Sequence, residues 1–328
     1  MATSKRLFLV LGLFFFGVLL LSLLVGRYPA PFWMPVSVLR ADPLAQRLVV
    51  NLRLPRILTA CLLGMSLAAA GTVLQMVFRN PLVEPGFLGV SPGAAFGAAT
   101  AILFLGGGPL VIEITAAIFA GLGLAFSYIL ARYIRYGGWI LRLVLAGIVV
   151  SALFSAGLGV LKYLADPLTE LPEIVFWTLG ALWGVTWSDV IYLLPLVAPG
   201  LVVLFLMRWR LNVLTLPEET AFAIGTAPGR ERSLLLAAAV VAVAAVVSVA
   251  GVVGWVGLIV PHVSRRLVGA DAQKALPASM LIGGTFALLC DDIARTIIAG
   301  EIPLGILTAL FGATGFLLLM VRRTPKLR

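Results

Sequence analysis

The side chains able to do chemistry are few in this 328-residue chain, and they lie far apart. Histidine occurs once, at His262, directly after Pro261 and shortly before Arg265-Arg266. One copy of the chain therefore cannot build a histidine-rich site for a metal or a haem, and a structural hydrogen bond is the expected role of the ring. The two cysteines, Cys61 and Cys290, each sit inside an apolar run, where a thiol serves as a small packing residue rather than as half of a disulfide or a metal ligand. No Ser-His-Asp set or cysteine cluster is present, so no enzyme active site is expected. None of the four lysines (5, 162, 274 and 326) follows a glycine, which excludes a Walker A phosphate loop. What remains is charge that can pair. Arg53 and Arg56 flank Pro55, Arg295 follows Asp291 and Asp292 by four and three residues, and Glu218-Glu219 follows Pro217. Arginine stays charged and forks onto carboxylates, so these groups suit docking and ion pairing rather than bond making.

The elements that position them are membrane helices. The chain is 61% hydrophobic and 12% charged with mean hydropathy +1.11, which no ordinary soluble domain shows. About 20 apolar residues at 1.5 Å rise cross a bilayer, and the length accommodates about ten such spans with no separate soluble domain. They are expected near 7–26, 54–78, 87–106, 110–131, 142–163, 189–207, 233–250, 255–267 (a short one), 276–298 and 303–321. The first has charges before it but no convincing cleavage site, so it reads as a retained helix. Residues 27–52 read as a Pro-rich surface loop. Residues 164–188, with Trp183 and Trp187, read as a short helix at the headgroup level. The expected fold is an all-α integral membrane protein, a single polytopic domain over residues 1–328.

An even span count puts both termini on one side. If that side is cytoplasmic, only seven of the 24 lysines and arginines (27, 40, 47, 53, 56, 162 and 295) fall outside, and the other seventeen fall inside. That asymmetry sets the orientation, with both termini cytoplasmic, and the basic balance then needs no nucleic-acid partner.

Small residues are dense within the spans, as in Gly64-x-x-x-Ala68 with Gly71 and in Gly283-Gly284. Such positions let helix backbones approach in lipid, where burial gives no drive between helices. Polar breaks at Asn80-Pro81 and Pro261-His262 interrupt apolar sequence. Irregular backbone at membrane depth survives only where protein or a water-filled cavity satisfies it, so these breaks mark either the edges of a pathway or plain loops. The longest hydrophilic loop, 208–232, holds Leu216-Pro217-Glu218-Glu219-Thr220-Ala221-Phe222-Ala223-Ile224-Gly225. Proline and acidic residues start a helix and the glycine stops it. Such a helix either docks on a partner or merely connects two spans. Arg53 and Arg56 likewise either snorkel at the interface or meet a partner, and Arg295 either pairs locally with Asp291 and Asp292 or does the same.

Seven stretches in order carry a resemblance: RLPR (53–56), RNPLVEPGFLGVSPGAAFG (79–97), LAG (145–147), EETAFAIG (218–225), GWVGLIVPHVSRRLVGAD (254–271), DDIAR (291–295) and EIPLGILTALFG (301–312). Over nearly its whole length the chain resembles the FecCD-type permeases of ABC importers, which move iron–siderophores, haem and cobalamin across the bacterial inner membrane. The resemblance implies a ten-span protomer of the type II importer class in a bacterial or archaeal cytoplasmic membrane. It implies a homodimer with the path on the two-fold axis, two cytoplasmic ATPase subunits, and a substrate-binding protein on the outer face. The loop 208–232 would sit in a cleft of the ATPase, with Pro217, Glu218, Glu219, Ala221 and Gly225 on the docking surface. ATP and Mg would belong to that partner, and this chain would bind no cofactor. Arg53, Arg56 and Arg295 match positions that receive carboxylates of the binding protein. Asn80 and Leu82 match the cytoplasmic gate. In the second gate segment, just before the fifth span, this chain has Ile140 and Leu141 where relatives can carry small polar residues, and an apolar constriction there would gate by dewetting. Pro261, His262 and Arg265 match a structural block. Ferric siderophore is the commonest cargo of such permeases, with haem, cobalamin, or molybdate or tungstate as alternatives on the same architecture. The reading of another class is an ion-coupled secondary transporter, which would need buried ionisable relays. Asp291, Asp292, Glu113 and Glu84 are the candidates, all near span ends.

Overall fold

The computed structural model of the chain describes residues 2–216, 218–223 and 225–321. Pro217 and the basic tail (Arg322, Arg323, Lys326 and Arg328) lie outside the described residues. Eight helices are long and apolar enough to cross a membrane. They are α1 (Ala2–Ser22), α4 (Leu54–Val77), α6 (Pro109–Tyr133), α7 (Trp139–Leu164), α9 (Trp187–Leu206), α12 (Pro228–Ala250), α14 (Ala272–Ala294) and α15 (Leu304–Val321). The other two expected spans are short, α5 (Val90–Phe104) and α13 (Val256–Val268). The remaining helices lie at the two ends of the bundle: α2 (Val36–Ala41), α3 (Pro43–Leu48), α8 (Glu170–Leu179), α10 (Arg208–Leu214) and α11 (Glu218–Ala223).

Two expectations change. Residues 27–52 are not a simple loop. Val25–Gly26 and Phe32–Trp33 pair antiparallel, α2 and α3 follow, and a π-helical turn at Val49–Arg53 runs straight into α4. Met34, Ala45 and Val49 form a small core of their own there, and apolar content local enough to fold on itself is why the segment is ordered. The third span does not begin at 87. Pro85–Leu88 is a 3₁₀ turn closed by Gly89 at φ +79°, a left-handed conformation that glycine adopts without a Cβ clash, and α5 starts only after it.

The Tyr28 hydroxyl donates to Asp42, which also caps α3 by accepting from the Leu44 N–H at 2.9 Å. These bonds hold the Asp42 carboxyl below its usual range, with Tyr28 the largest cause, and raise the Tyr28 hydroxyl. A depressed folded-state pKa contributes stability above the unfolded value, and that contribution is lost as pH falls through the folded one. Tyr28→Phe is therefore expected to move the Asp42 titration, followed by NMR of labelled aspartate, upward toward the ordinary carboxylate range. An unmoved titration counts against this bond.

α4 is the central helix. Nearly all of its residues are buried, and it packs on α14, α12, α13 and α9. Glycine is what permits two of these contacts. A Cβ built on Gly64 would lie 2.1 Å from the Gly283 carbonyl oxygen of α14, and one on Gly71 would lie 1.9 Å from that of Gly257 in α13. The small-residue pattern is thus used for backbone contact, where dispersion rather than hydrophobic transfer holds helices together.

Candidate functional site

One end of the bundle gathers the three arginines singled out above. Arg56, in the first turn of α4, directs Nε to both Asp291 oxygens at 2.8 and 3.1 Å and Nη1 to both Glu301 oxygens at 3.0 and 2.9 Å. Arg295, the C-cap of α14, donates to the Ser22 carbonyl at 2.7 Å and to Asp292, and its Nε lies 3.8 Å from Asp291. Arg53 donates to the carbonyls of Leu23 at 2.8 Å and Tyr28 at 3.2 Å. All three guanidiniums are buried, and the Asp291 side chain is 1% exposed. A buried charge survives only when paired and hydrogen-bonded. The cluster accordingly ties α1, α4, α14 and the turn before α15 together, and Glu301 holds φ +54° to reach it. Asp291 and Asp292 are occupied by these arginines, which removes them as free relay carboxylates.

The two short helices leave a cavity of about 400 Å³ between their non-helical starts. Pro85, Phe87 and Ser91 line it from one break and Val252 and Gly254 from the other, with Ser151 of α7 opposite. Trp255, the N-cap of α13, holds a left-handed conformation at φ +71° where the second break meets the helix. Pro261 has no N–H, which deprives the Gly257 carbonyl of its helical donor. Gln75 of α4 supplies a replacement, donating to the Gly257 and Leu258 carbonyls at 3.3 and 3.2 Å while accepting from Arg265 at 2.6 Å. His262 Nδ1 lies 2.8 Å from the Leu258 carbonyl oxygen, and its ring meets Phe316 edge-on. The Pro261–Arg265 block is thus held by α4.

The opposite end carries the loop elements. Asn80 accepts the Leu82 N–H at 2.9 Å, and both side chains are exposed. Ile140 and Leu141 fall inside the first turn of α7, not before it, because the helix begins at Trp139; Ile140 is half-buried and Leu141 exposed. In the six-residue helix α11, Ala221 is fully buried whereas Glu219 is exposed and Phe222 is 73% exposed. The Ala221 carbonyl accepts both the N–H (3.3 Å) and the hydroxyl of Thr226. Gly225 turns the chain at φ +79°, where an added Cβ would meet nothing, so the requirement for glycine is conformational. Arg79, at the end of α4, donates to the Leu216 carbonyl just before α11.

A bundle of this kind, with two short helices preceded by irregular backbone and a six-residue helix in a loop, has known counterparts. The FecCD transport family matches residues 13–322. The chain belongs to the FecCD transport family. The molybdate import system permease protein MolB of Haemophilus influenzae is 40% identical over 305 residues, covering 90% of this chain and 89% of that one. The hemin transport system permease protein HmuU of Yersinia pestis is 38% identical over 278 residues, covering 84% and 83%. A metal-chelate type ABC transporter solved in an inward-facing conformation superposes with TM-score 0.89 at 39% identity, covering 96% of this chain and 99% of that one.

Within this FecCD permease, several residues that hold the site together carry no mark in the sequence. Glu301 sits in the EIPLG stretch, but nothing local shows that it shares Arg56 with Asp291. Gln75 lies in an apolar helix, where only the presence of a proline elsewhere gives it a function. Ser22 and Asn212 are ordinary polar residues at helix ends.

Proposed function

We propose that this chain is the permease of an ABC importer for a bulky metal chelate, with ferric siderophore the favoured cargo. Its class as a multi-pass permease follows from the family. The observation that carries the choice of cargo is the cavity between the two breaks. Its lining is apolar and hydroxylic, with Glu84 as its one charged group and no arginine or lysine among the described residues. A site built for an oxyanion would present cationic or convergent N–H donors. The second reading, import of molybdate, is favoured by the 40% identity to a molybdate permease over 90% of the chain.

In the proposed assembly two copies enclose the path on their two-fold axis, and both termini are cytoplasmic. A binding protein docks on the arginine end, and two ATPase subunits engage the loop 208–232 and hold the ATP and Mg. This chain binds no cofactor. Because Arg53, Arg56 and Arg295 already have internal partners, carboxylates of the binding protein would have to join or displace Asp292 and Glu301. Asn80, Leu82, Ile140 and Leu141 close the cytoplasmic end. Transport alternates outward- and inward-facing states because ATP binds them with different affinity.

The test is capture of the tagged permease from native membranes in mild detergent. Uptake of radiolabelled ferric hydroxamate, hemin, cobalamin and molybdate is then measured on the reconstituted sample. Glu219→Arg, on the exposed face of α11, is expected to reduce captured ATPase about tenfold, as reversal of an interface charge does. Molybdate uptake without ferric hydroxamate uptake would overturn the choice of cargo. Unchanged ATPase capture would overturn the role of α11.

A further inference from the structure

One helix joins the two charged ends of the molecule. α14 begins at the loop end with Ala272 and finishes at the arginine end with Asp291 and Asp292, and its 23 residues span about 35 Å. Its own N-cap, Asp271, accepts the Gln273 N–H at 3.0 Å. A second cap arrives from outside. Asn212 of α10 accepts the Ala272 N–H at 2.8 Å through its side-chain oxygen, and its amide nitrogen donates to Asp271 at 2.8 Å. A side-chain amide has one donor end and one acceptor end, and here both grip the start of α14. α10 leads directly through Leu216 into the 218–223 helix. Beyond the grip, Ser264 of α13 donates to the Ala275 carbonyl at 2.7 Å. Past Pro277, Thr72 of α4 donates to Ser279 at 2.9 Å, so the helix is supported on both sides of its proline. At the far end Asp291 receives Arg56.

We propose that Asn212 is the positioning residue through which movement of the 208–227 segment is passed to α14, and along α14 to the arginine–carboxylate cluster at the opposite end. The inference rests on the reading that this segment docks an ATPase. Its chemistry makes a specific demand. Asn212→Asp removes the donor and sets one carboxylate against another, that of Asp271. Asp271→Asn alone keeps an acceptor for Asn212 and for Gln273. The Asn212→Asp, Asp271→Asn double variant restores the bond between 212 and 271 with donor and acceptor exchanged, and leaves only the exposed Gln273 N–H to water.

The experiment uses the transporter purified with the ATPase that accompanies it and reconstituted in vesicles. ATP turnover, uptake of a radiolabelled ferric hydroxamate and unfolding temperature are read on the same preparations. Asn212→Asp is expected to retain the ATPase and turn over ATP within about twofold of wild type, while uptake per ATP falls about tenfold, within the range of ordinary coupling free energies. Asp271→Asn and the double variant are expected to transport like wild type. If Asn212→Asp does not accumulate, Asn212→Ser, too short to reach both partners, takes its place. Unchanged uptake per ATP with the ATPase bound overturns the inference and leaves the docking reading intact. A parallel fall in unfolding temperature, turnover and uptake also overturns it, since that is what a purely structural bond would give. Wild-type permease that carries no ATPase overturns both.

Discussion

Replacing Gly71 by valine is expected to abolish recovery of folded permease from the membrane. A Cβ at this position would stand 1.9 Å from the Gly257 carbonyl oxygen and 2.8 Å from its Cα, and both are backbone atoms that cannot rotate away. α13 has little room to retreat, because Gln75, one turn along α4, holds the Gly257 and Leu258 carbonyls. Overpacking in a tight core costs about 1–3 kcal/mol and more where backbone must move. Pushing the helices apart also strips the carbonyl left open by Pro261 of its donor, and an unsatisfied buried acceptor costs about 1–3 kcal/mol. Those costs consume a large part of the ~5–15 kcal/mol by which proteins are ordinarily stable. Size-exclusion chromatography after extraction reads the outcome. Gly121→Val is the control, since a Cβ there meets nothing within 4 Å. A monodisperse Gly71→Val protein in wild-type yield would mean that α4 and α13 are not in backbone contact.

Arg56→Ala is the second large effect, expected to destabilise the permease by about 3–5 kcal/mol, as removal of one partner from a buried ion pair does. It leaves Asp291 in the interior with only Arg295 Nε at 3.8 Å, and it frees Glu301 from the turn that it strains to reach. Arg56→Lys is expected to recover little, because a single ammonium cannot fork onto two carboxylates in different directions. Removing Asp291 together with Arg56 should destabilise less than Arg56→Ala alone, since the fully buried carboxylate is then gone and Glu301, partly exposed, can reach water. Thermal unfolding in detergent measures all three. The same series separates packing from docking. If Arg56 also meets a carboxylate of a binding protein, the double variant regains stability yet still loses affinity for that protein. If its role is internal only, stability and affinity return together.

Much of the fold was legible because the signals are local. Apolar runs near 20 residues, flanked by charges and glycine or proline turns, mark the long helices at 110–131 and 303–321 to within a few residues of α6 and α15. The third span is expected a few residues early because an apolar run does not distinguish an α-helix from the 3₁₀ turn at Pro85–Leu88. The segment 27–52 was underestimated because its small core draws on residues from both of its ends. Motif matches pointed to Arg53, Arg56, Arg295 and the loop 208–232 as candidates. They did not reveal that the guanidiniums are buried and already paired.

The sequence by itself determined that this is a multi-span membrane protein of the FecCD family. Length, hydropathy, the single histidine, the missing phosphate loop and seven motifs in order are all properties of residue type and spacing. Only the tertiary structure decided which groups meet. Arg56 finds Asp291 across 235 residues and Glu301 across 245, Gln75 finds the carbonyl opened by Pro261 across 182, and Asn212 finds the start of α14 across about 60. The physical reason is that buried donors and acceptors must be satisfied wherever the packing of glycine-faced helices brings them, and neither periodicity nor spacing along the chain encodes that meeting.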